Sequence, residues 1–212
     1  MKVCEIFTSI QGESSYAGTP CHFIRLTGCN LRCRYCDTQY ALLEGYDIDL
    51  EILKSQIRDL SRYKLFMITG GEPLLQDETY ELAAWLLDEG FTVLVETNGS
   101  VPIRDLDKRA VVIMDVKTPG SGMVEFNHMS NIKQLKSGDE VKFVLTDESD
   151  YLWARDFVRS HPINEEVKVL FAPASNLLSP RDLSRWILRD SLNVRLNIQL
   201  HKVIFGEGIR GV

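Results

Sequence analysis

The sequence predicts an α/β domain with mainly parallel strands, because short apolar runs alternate with helical segments along its 212 residues. Strands are predicted near residues 22–27, 64–69, 91–97, 111–117, 140–146, 167–172 and 194–201. Helices are predicted near residues 49–61, 76–89, 149–160 and 179–190. No linker rich in proline, glycine or serine divides the chain, so we expect one domain over 1–212.

Two of the predicted helices carry boundary signals. In the second helix, Leu82 and Leu86 share one face, and Gly90 follows where left-handed backbone commonly ends a helix. The fourth begins with Ser179 and Pro180, which suit the N-cap and the first helical position. These signals support the alternation of strands and helices.

Polar side chains at the strand ends favour a site at one edge of the sheet. From Val194 to His201 apolar and polar residues alternate strictly, as in a strand with one face on a cavity or, alternatively, in a solvated edge strand. The same alternation places Arg25 with Thr27 on the first strand, and Asp115 with Lys117 on the fourth. Parallel α/β folds build active sites at such ends, in a barrel mouth or in the crevice of an open sheet.

Composition excludes several classes of protein. The net charge of −6 argues against an extended nucleic-acid surface and favours a small-molecule substrate. No apolar run approaches the roughly 20 residues that a membrane span needs. The N-terminal residues lack an apolar stretch with a cleavage site, so we expect a cytoplasmic protein.

Three of the five cysteines form a C-x3-C-x2-C pattern, Cys29, Cys33 and Cys36, just after the first predicted strand. Clustered cysteines favour metal binding over a disulfide framework. Closed zinc sites and electron-transfer iron–sulfur clusters take four protein ligands, whereas three thiolates leave one metal position open for a small molecule. The triplet therefore indicates a reactive metal site, although a structural zinc or iron–sulfur module remains the alternative.

Two further loops follow predicted strands in the same manner. Gly70, Gly71 and Glu72 follow the second strand, where glycines let the backbone approach a ligand and a carboxylate accepts hydrogen bonds from an ammonium group. Thr97 and Asn98 follow the third strand with short polar side chains. Each segment alone is also ordinary turn sequence. Their succession at consecutive strand ends favours a cofactor site.

The thiol triplet followed by Gly-Gly-Glu-Pro resembles the radical S-adenosylmethionine (SAM) superfamily. The resemblance implies an incomplete, partial TIM-like βα barrel with mainly parallel strands. It also implies that Cys29, Cys33 and Cys36 hold a [4Fe–4S] cluster whose fourth iron binds the methionyl end of SAM. The SAM contacts it implies are Gly70, Gly71, Glu72, Thr97, Asn98, Asp115 and Lys117. Some relatives have Ser-Pro-Lys where this chain has Asp-Val-Lys.

Both ends of the chain narrow the resemblance to the 7-carboxy-7-deazaguanine synthase family. These ends are the segment Phe7–Glu13, which contains Gln-Gly-Glu, and the segment Gln199–Lys202. The family contracts 6-carboxy-5,6,7,8-tetrahydropterin to 7-carboxy-7-deazaguanine with loss of ammonia, in queuosine and deazapurine biosynthesis. The substrate contacts that the resemblance implies are Ile10, Gln11, Gly12, Glu13, Arg25, Thr69, His201 and the carboxylate of Val212. It also implies Mg²⁺ at Thr38.

The resemblance further implies how the enzyme works and with what partners. The cluster and SAM generate a radical that abstracts hydrogen from the pterin, and no side chain is expected to act as a catalyst beyond these groups. A flavodoxin or ferredoxin is expected as electron donor, and the chain is expected to form a homodimer without nucleic acid or membrane. A glycyl-radical-enzyme activase and a non-enzymatic metal protein are the competing interpretations.

Overall fold

The computed structural model describes residues 1–60 and 62–212. The strands in this part of the chain are β1 Lys2–Ile10, β2 Pro20–Leu26, β3 Tyr46–Asp47, β4 Leu65–Gly70, β5 Thr92–Thr97, β6 Val111–Asp115, β7 Glu140–Leu145, β8 Lys168–Pro173 and β9 Arg195–Leu196. The α-helices are α1 Leu50–Arg58, α2 Glu78–Asp88, α3 Glu148–Ser160, α4 Pro180–Arg189 and α5 Leu200–Phe205. Short 3-10 turns cover Gln39–Leu42, Pro73–Leu75, Pro119–Ser121, Val124–Phe126 and Met129–Gln134.

One sheet contains all these strands, in the order β3-β1-β2-β4-β5-β6-β7-β8-β9. From β2 to β9 neighbouring strands are parallel, whereas β1 is antiparallel to both β2 and β3. The sheet has two edges, β3 and β9, so it is not closed into a barrel. The predicted incomplete barrel with mainly parallel strands is therefore confirmed.

The larger core lies between the sheet and the helices. Strand residues such as Ile24, Phe66 and Val141 are buried there with Leu53 of α1 and Leu82 of α2. A smaller apolar cluster lies on the opposite face of the sheet, formed by Cys21, Phe23, Leu65, Met67, Leu94 and Ile113. No helix in residues 1–60 and 62–212 is long and apolar enough to cross a membrane. The polar site lies at the carboxyl ends of the parallel strands, where each strand leads into its loop.

The predicted strand over 194–201 is wrong beyond Leu196. Only Arg195–Leu196 pairs with β8, and the backbone N–H of Asn197 donates the next hydrogen bond to the carbonyl of Phe171 at 2.8 Å. The chain then turns into α5 at Leu200. Alternation of polar and apolar residues cannot distinguish a continued strand from a turn whose polar residues bind a distant segment. Asn197 is such a residue, because its side chain accepts a hydrogen bond from the N–H of Ser14 at 2.8 Å.

Strand β1 was not predicted. Its pairing with β2 shifts register between Val3 and Glu5, so a bulge interrupts the regular alternation that identifies a strand. The predicted helix over 49–61 begins as expected, since the Asp49 side chain accepts from the N–H groups of Glu51 and Ile52 at 2.8 and 3.3 Å. The observed helix ends at Arg58, and residue 61 lies outside the described residues.

Candidate active site

The thiol loop, residues 29–36, follows β2 directly. All three of its cysteines are free and partly exposed. Burial raises the pKa of Cys33, the charge of Lys117 opposes this rise, and the charges of Asp115, Cys36 and Cys29 add to it. Among the described residues no three His, Cys, Asp or Glu side chains converge as around a single metal ion. A cubane binds each thiolate to a different iron, so it does not require that convergence.

Cys29 also receives N–H donors suited to a thiolate. The backbone N–H of Leu31 lies 3.4 Å from its Sγ, and the Nδ2 of Asn98 lies 3.6 Å away. Hydrogen bonds to cysteine sulfur are one of the means by which proteins tune iron–sulfur clusters. The donor set therefore fits the cluster predicted from the sequence.

The glycine pair packs directly on the start of the thiol loop. A Cβ at Gly71 would lie 2.1 Å from the carbonyl oxygen of Gly28 and 2.7 Å from the Cβ of Cys29. The N–H of Glu72 donates to the same Gly28 carbonyl at 2.8 Å. Gly70 has φ +147° and a Cβ there would lie 2.2 Å from the Leu26 carbonyl. The close backbone approach predicted for these glycines is made to the thiol loop itself.

Glu72 joins the ends of β4 and β5. Its carboxylate is buried and accepts from Thr97 Oγ1 at 2.9 Å, from the N–H of Asn98 at 2.6 Å and from the N–H of Leu74 at 3.0 Å. Burial raises the pKa of Glu72, and these donors oppose that rise. Three segments predicted separately, the thiol loop, Gly70–Glu72 and Thr97–Asn98, thus form one continuous surface.

Asp115 and Lys117 form a buried ion pair with an unused acceptor. Lys117 Nζ lies 2.8 Å from Asp115 Oδ2. Burial tends to lower the pKa of Lys117, but the charge of Asp115 outweighs it and raises that pKa. Asp115 Oδ1 is buried and has no hydrogen-bond partner among the described residues. An unsatisfied buried carboxylate oxygen beside the thiol loop fits a ligand with an N–H or O–H group.

The segment Gln11–Glu13 meets the C-terminal helix α5. The N–H of Leu200 donates to the Gly12 carbonyl at 2.8 Å, and a Cβ at Gly12 would lie 2.0 Å from His201 Nδ1. Gln11 Nε2 is buried and has no partner in the part of the chain that the structure describes. Two ends of the chain predicted to bind the same substrate are therefore in contact.

Arg25 lies on the same surface, in β2 beside Thr69 of β4. Its Nε donates to Glu5 Oε1 at 2.7 Å, and Tyr40 OH donates to the same oxygen at 2.9 Å. The terminal guanidinium nitrogens of Arg25 form no hydrogen bond within the described residues. The ion pair orients Arg25 and leaves its terminal fork for a ligand.

Three predicted residues lie at the margin of this surface. Thr38 Oγ1 lies 3.8 Å from Cys36 Sγ, and Ile10 ends β1 opposite Pro20. The Val212 carboxylate forms no hydrogen bond to the described residues. Its neighbour Arg210 lies over the Tyr40 ring at 3.7 Å, which brings the tail to the Arg25 side of the site.

Sequence reasoning missed two charged residues at the centre of the site, Glu96 and Lys142. Glu96 is the penultimate residue of β5, and Lys142 is the third residue of β7. Lys142 Nζ donates to Glu13 Oε2 at 3.0 Å and also to Glu96 Oε1. A lysine inside the otherwise apolar run Val141–Leu145 was the available signal, because an unpaired charge is rarely buried.

The sequence is similar to those of known enzymes over its whole length. The model of the Radical SAM superfamily matches residues 23–117. A 7-carboxy-7-deazaguanine synthase from Koribacter versatilis (strain Ellin345) is 40% identical over 226 residues, with 100% of both chains covered. The chain belongs to the 7-carboxy-7-deazaguanine synthase family. A second member, from Chlorobaculum tepidum, is 41% identical over 215 residues and covers 100% of this chain and 97% of its own.

The fold of this family member also matches a solved structure. The crystal structure of QueE from Escherichia coli superposes with a TM-score of 0.73 at 21% identity and covers 94% of each chain. Membership of the family confirms the predicted enzyme class, and the superfamily match confirms a [4Fe–4S] cluster and SAM as the cofactors. The interpretation as a non-enzymatic metal protein is not favoured.

Proposed function

We propose that the protein converts 6-carboxy-5,6,7,8-tetrahydropterin to 7-carboxy-7-deazaguanine with loss of ammonia. One observation supports the substrate most directly. The two segments that distinguish this family, Gln11–Glu13 and Gln199–Lys202, come together beside the thiol loop, with Gln199 Nε2 donating to Glu13 Oε1 at 2.8 Å. The loop after β1 and the segment after β9, from opposite sides of the open sheet, thereby enclose a polar site.

Cys29, Cys33 and Cys36 hold the cluster in this proposal, and SAM lies along Gly70–Glu72, Thr97–Asn98 and the pair Asp115 and Lys117. When bound, the cluster and SAM would supply the radical chemistry that abstracts hydrogen from the substrate. The protein's own contribution is to bind, orient and shield the reactants, since a carbon radical attacks whatever lies nearest. The buried Glu72 carboxylate and the close-packed glycines give this surface little freedom to move.

The proposed pterin site faces that surface. The terminal nitrogens of Arg25 bind the substrate carboxylate, because a planar guanidinium matches a carboxylate with two parallel hydrogen bonds. Gln11, Gly12, Glu13, Thr69 and His201 bind the ring edges, with Ile10 and the Val212 carboxylate at the margin. Thr38 would offer its hydroxyl to Mg²⁺, which binds few protein ligands and keeps several waters.

The α5 helix is held over the site by charge as well as by packing. Lys202 Nζ lies 3.0 Å from Asp37 Oδ2, and Gln199 Nε2 lies 3.2 Å from the same oxygen. Asp37 follows the last cysteine of the triplet directly. The helix that carries His201 is therefore tied to the thiol loop, which supports a shielding role for it.

Several properties of the assembled enzyme are also part of this proposal. We propose that residues 1–212 act as a single radical SAM domain, that the protein is a cytoplasmic homodimer, and that a flavodoxin or ferredoxin supplies its electrons. Size-exclusion chromatography with light scattering tests the dimer: a monomer at working concentration would refute it.

One anaerobic experiment tests the proposed function. The protein is reconstituted with iron and sulfide, reduced, and incubated with SAM, Mg²⁺ and 6-carboxy-5,6,7,8-tetrahydropterin, and the expected product is detected by mass spectrometry. Cleavage of SAM without formation of 7-carboxy-7-deazaguanine would refute the substrate and leave the superfamily intact. Cleavage of SAM without this product is the result that a glycyl-radical-enzyme activase predicts.

A further inference from the structure

Lys142 is a buried lysine for which no role has yet been assigned. In β7 its neighbours Val141 and Phe143 enter the core between sheet and helices. Because strand side chains alternate, Lys142 points to the opposite face, the one that carries the site. Its side chain is 7% exposed, although isolated lysines are almost never buried.

Two carboxylates from distant segments surround its ammonium group. Lys142 Nζ lies 3.0 Å from Glu13 Oε2, in the loop after β1, and also donates to Glu96 Oε1 in β5. Burial tends to lower the pKa of Lys142, but the charges of Glu13 and Glu96 outweigh it and raise that pKa well above its usual value. Burial likewise tends to raise the pKa of Glu13, and the charge of Lys142 outweighs it and lowers that pKa. Lys142 and Glu13 are therefore ionised at neutral pH.

The two carboxylates that bind Lys142 also contact residues of the proposed substrate site. Glu96 Oε2 accepts from Thr69 Oγ1 at 3.1 Å, and Glu13 Oε1 accepts from Gln199 Nε2 at 2.8 Å. Asn197 Nδ2 adds a 3.3 Å contact to Glu13 Oε2. One ammonium group thus links strands β5 and β7 to the two family-specific segments.

We infer that Lys142 is a positioning residue that holds Glu13 and Glu96 in one arrangement and cancels one of their two negative charges in the pterin site. The inference rests on the proposed function. Without this lysine two carboxylates would face each other unpaired at low local dielectric, and together they would repel a substrate that itself carries a carboxylate. Lys142 makes the site compatible with an anionic substrate.

The contacts of Lys142 separate this role from cofactor binding. Asp115 is the strand partner of Lys142 in β6. Among the hydrogen bonds of the described residues, however, none joins the Lys142 side chain to the thiol loop, to Gly70–Glu72, to Thr97–Asn98 or to the pair Asp115 and Lys117. Loss of the lysine is therefore expected to weaken pterin binding and to leave cluster loading and pterin-independent cleavage of SAM in place.

The test compares wild type with Lys142→Met, Lys142→Arg and the control Lys168→Met, all as cluster-loaded protein. Lys168 lies on the adjacent strand β8, is half exposed, and donates to Ser15 Oγ at 2.8 Å, away from both site carboxylates. Pterin affinity is measured by equilibrium dialysis with SAM and without reductant, so that binding is read without turnover. Product formation, SAM cleavage without pterin, iron content and Tm are then measured separately.

Lys142→Met is expected to raise the pterin Kd at least about 30-fold and to lower kcat/KM at least about 100-fold. Iron content and pterin-independent SAM cleavage are expected to stay within about twofold of wild type, as are all values for Lys168→Met. Lys142→Arg keeps the charge and is expected to recover at least about tenfold of the lost kcat/KM.

A pterin Kd for Lys142→Met within about threefold of wild type would overturn the inference, as would equal losses in the Met and Arg variants. If Lys142→Met does not fold, Lys142→Gln, which keeps an N–H donor without the charge, carries the same expectations. Failure of both to fold would show a purely structural role and also overturn it. Absence of product from wild type refutes the proposed function instead, because that result does not involve Lys142.

Discussion

A methyl group at Gly71 provides a direct test of how the glycine pair and the thiol loop fit together. In Gly71→Ala the new Cβ would lie 2.1 Å from the Gly28 carbonyl oxygen and 2.6 Å from its carbon, and both are backbone atoms that cannot rotate away. Gly71 has no left-handed φ, so alanine introduces the clash without backbone strain. The two segments must separate by about 0.9 Å to reach the 3.0 Å below which real Cβ contacts essentially never occur.

That separation has a cost that can be worked out from the contacts. Overpacking a rigid contact costs about 1–3 kcal/mol. The 2.8 Å hydrogen bond from the Glu72 N–H to the Gly28 carbonyl would be broken as well, at about 1 kcal/mol. The total, about 2–4 kcal/mol, corresponds to a fall in Tm of roughly 5–15 °C for a chain of this size. Because Cys29 adjoins Gly28, we also expect less iron to be retained.

The assay is thermal unfolding of the reconstituted protein together with its iron content. Gly90→Ala is the matched control, because Gly90 has φ +80° and no atom within 4 Å of its added Cβ. Left-handed backbone costs alanine about 1–2 kcal/mol, so the control loses some stability and keeps its iron. A Gly71→Ala protein with wild-type Tm and iron content would show that the close approach of these segments is not what positions the thiol loop.

Three further predictions concern the thiols and the C-terminal helix. In Gly12→Ala the new Cβ would lie 2.0 Å from Nδ1 of His201 and 3.0 Å from its Cβ, so α5 must shift. We therefore expect faster amide hydrogen exchange over 200–205 and about a tenfold higher KM for the pterin. Unchanged exchange would contradict this. Cys33→Ala removes a cluster ligand, so loss of both iron and turnover is expected, and full turnover would refute the ligand role. Burial raises the pKa of Cys21 to about 12. In folded apoprotein at pH 8, iodoacetamide should therefore leave Cys21 unmodified and modify the partly exposed Cys29 and Cys36. Peptide mass spectrometry measures the modification of each cysteine.

Local patterns predicted most of the fold and of the cofactor site. The apolar runs of β4, β5 and β7 and the N-cap of α4 involve residues only a few positions apart, so periodicity and side-chain chemistry identify them. The thiol spacing and the glycine pair are equally local. Strand β1 was not predicted because its bulge disturbs the alternation. The start of α5, Leu200 and His201, was assigned to a strand because the residues before it alternate as in a strand.

Local sequence patterns identified most of the elements, their order, and the loops that carry thiols, glycines and short polar side chains. Which distant charges meet depends on the tertiary fold. Glu13 and Lys142 are separated by 129 positions, and Lys142 and Glu96 by 46, yet they form one buried cluster. Periodicity records whether a side chain is buried, whereas sheet order and register determine what it is buried against, and for a charge that partner determines its role.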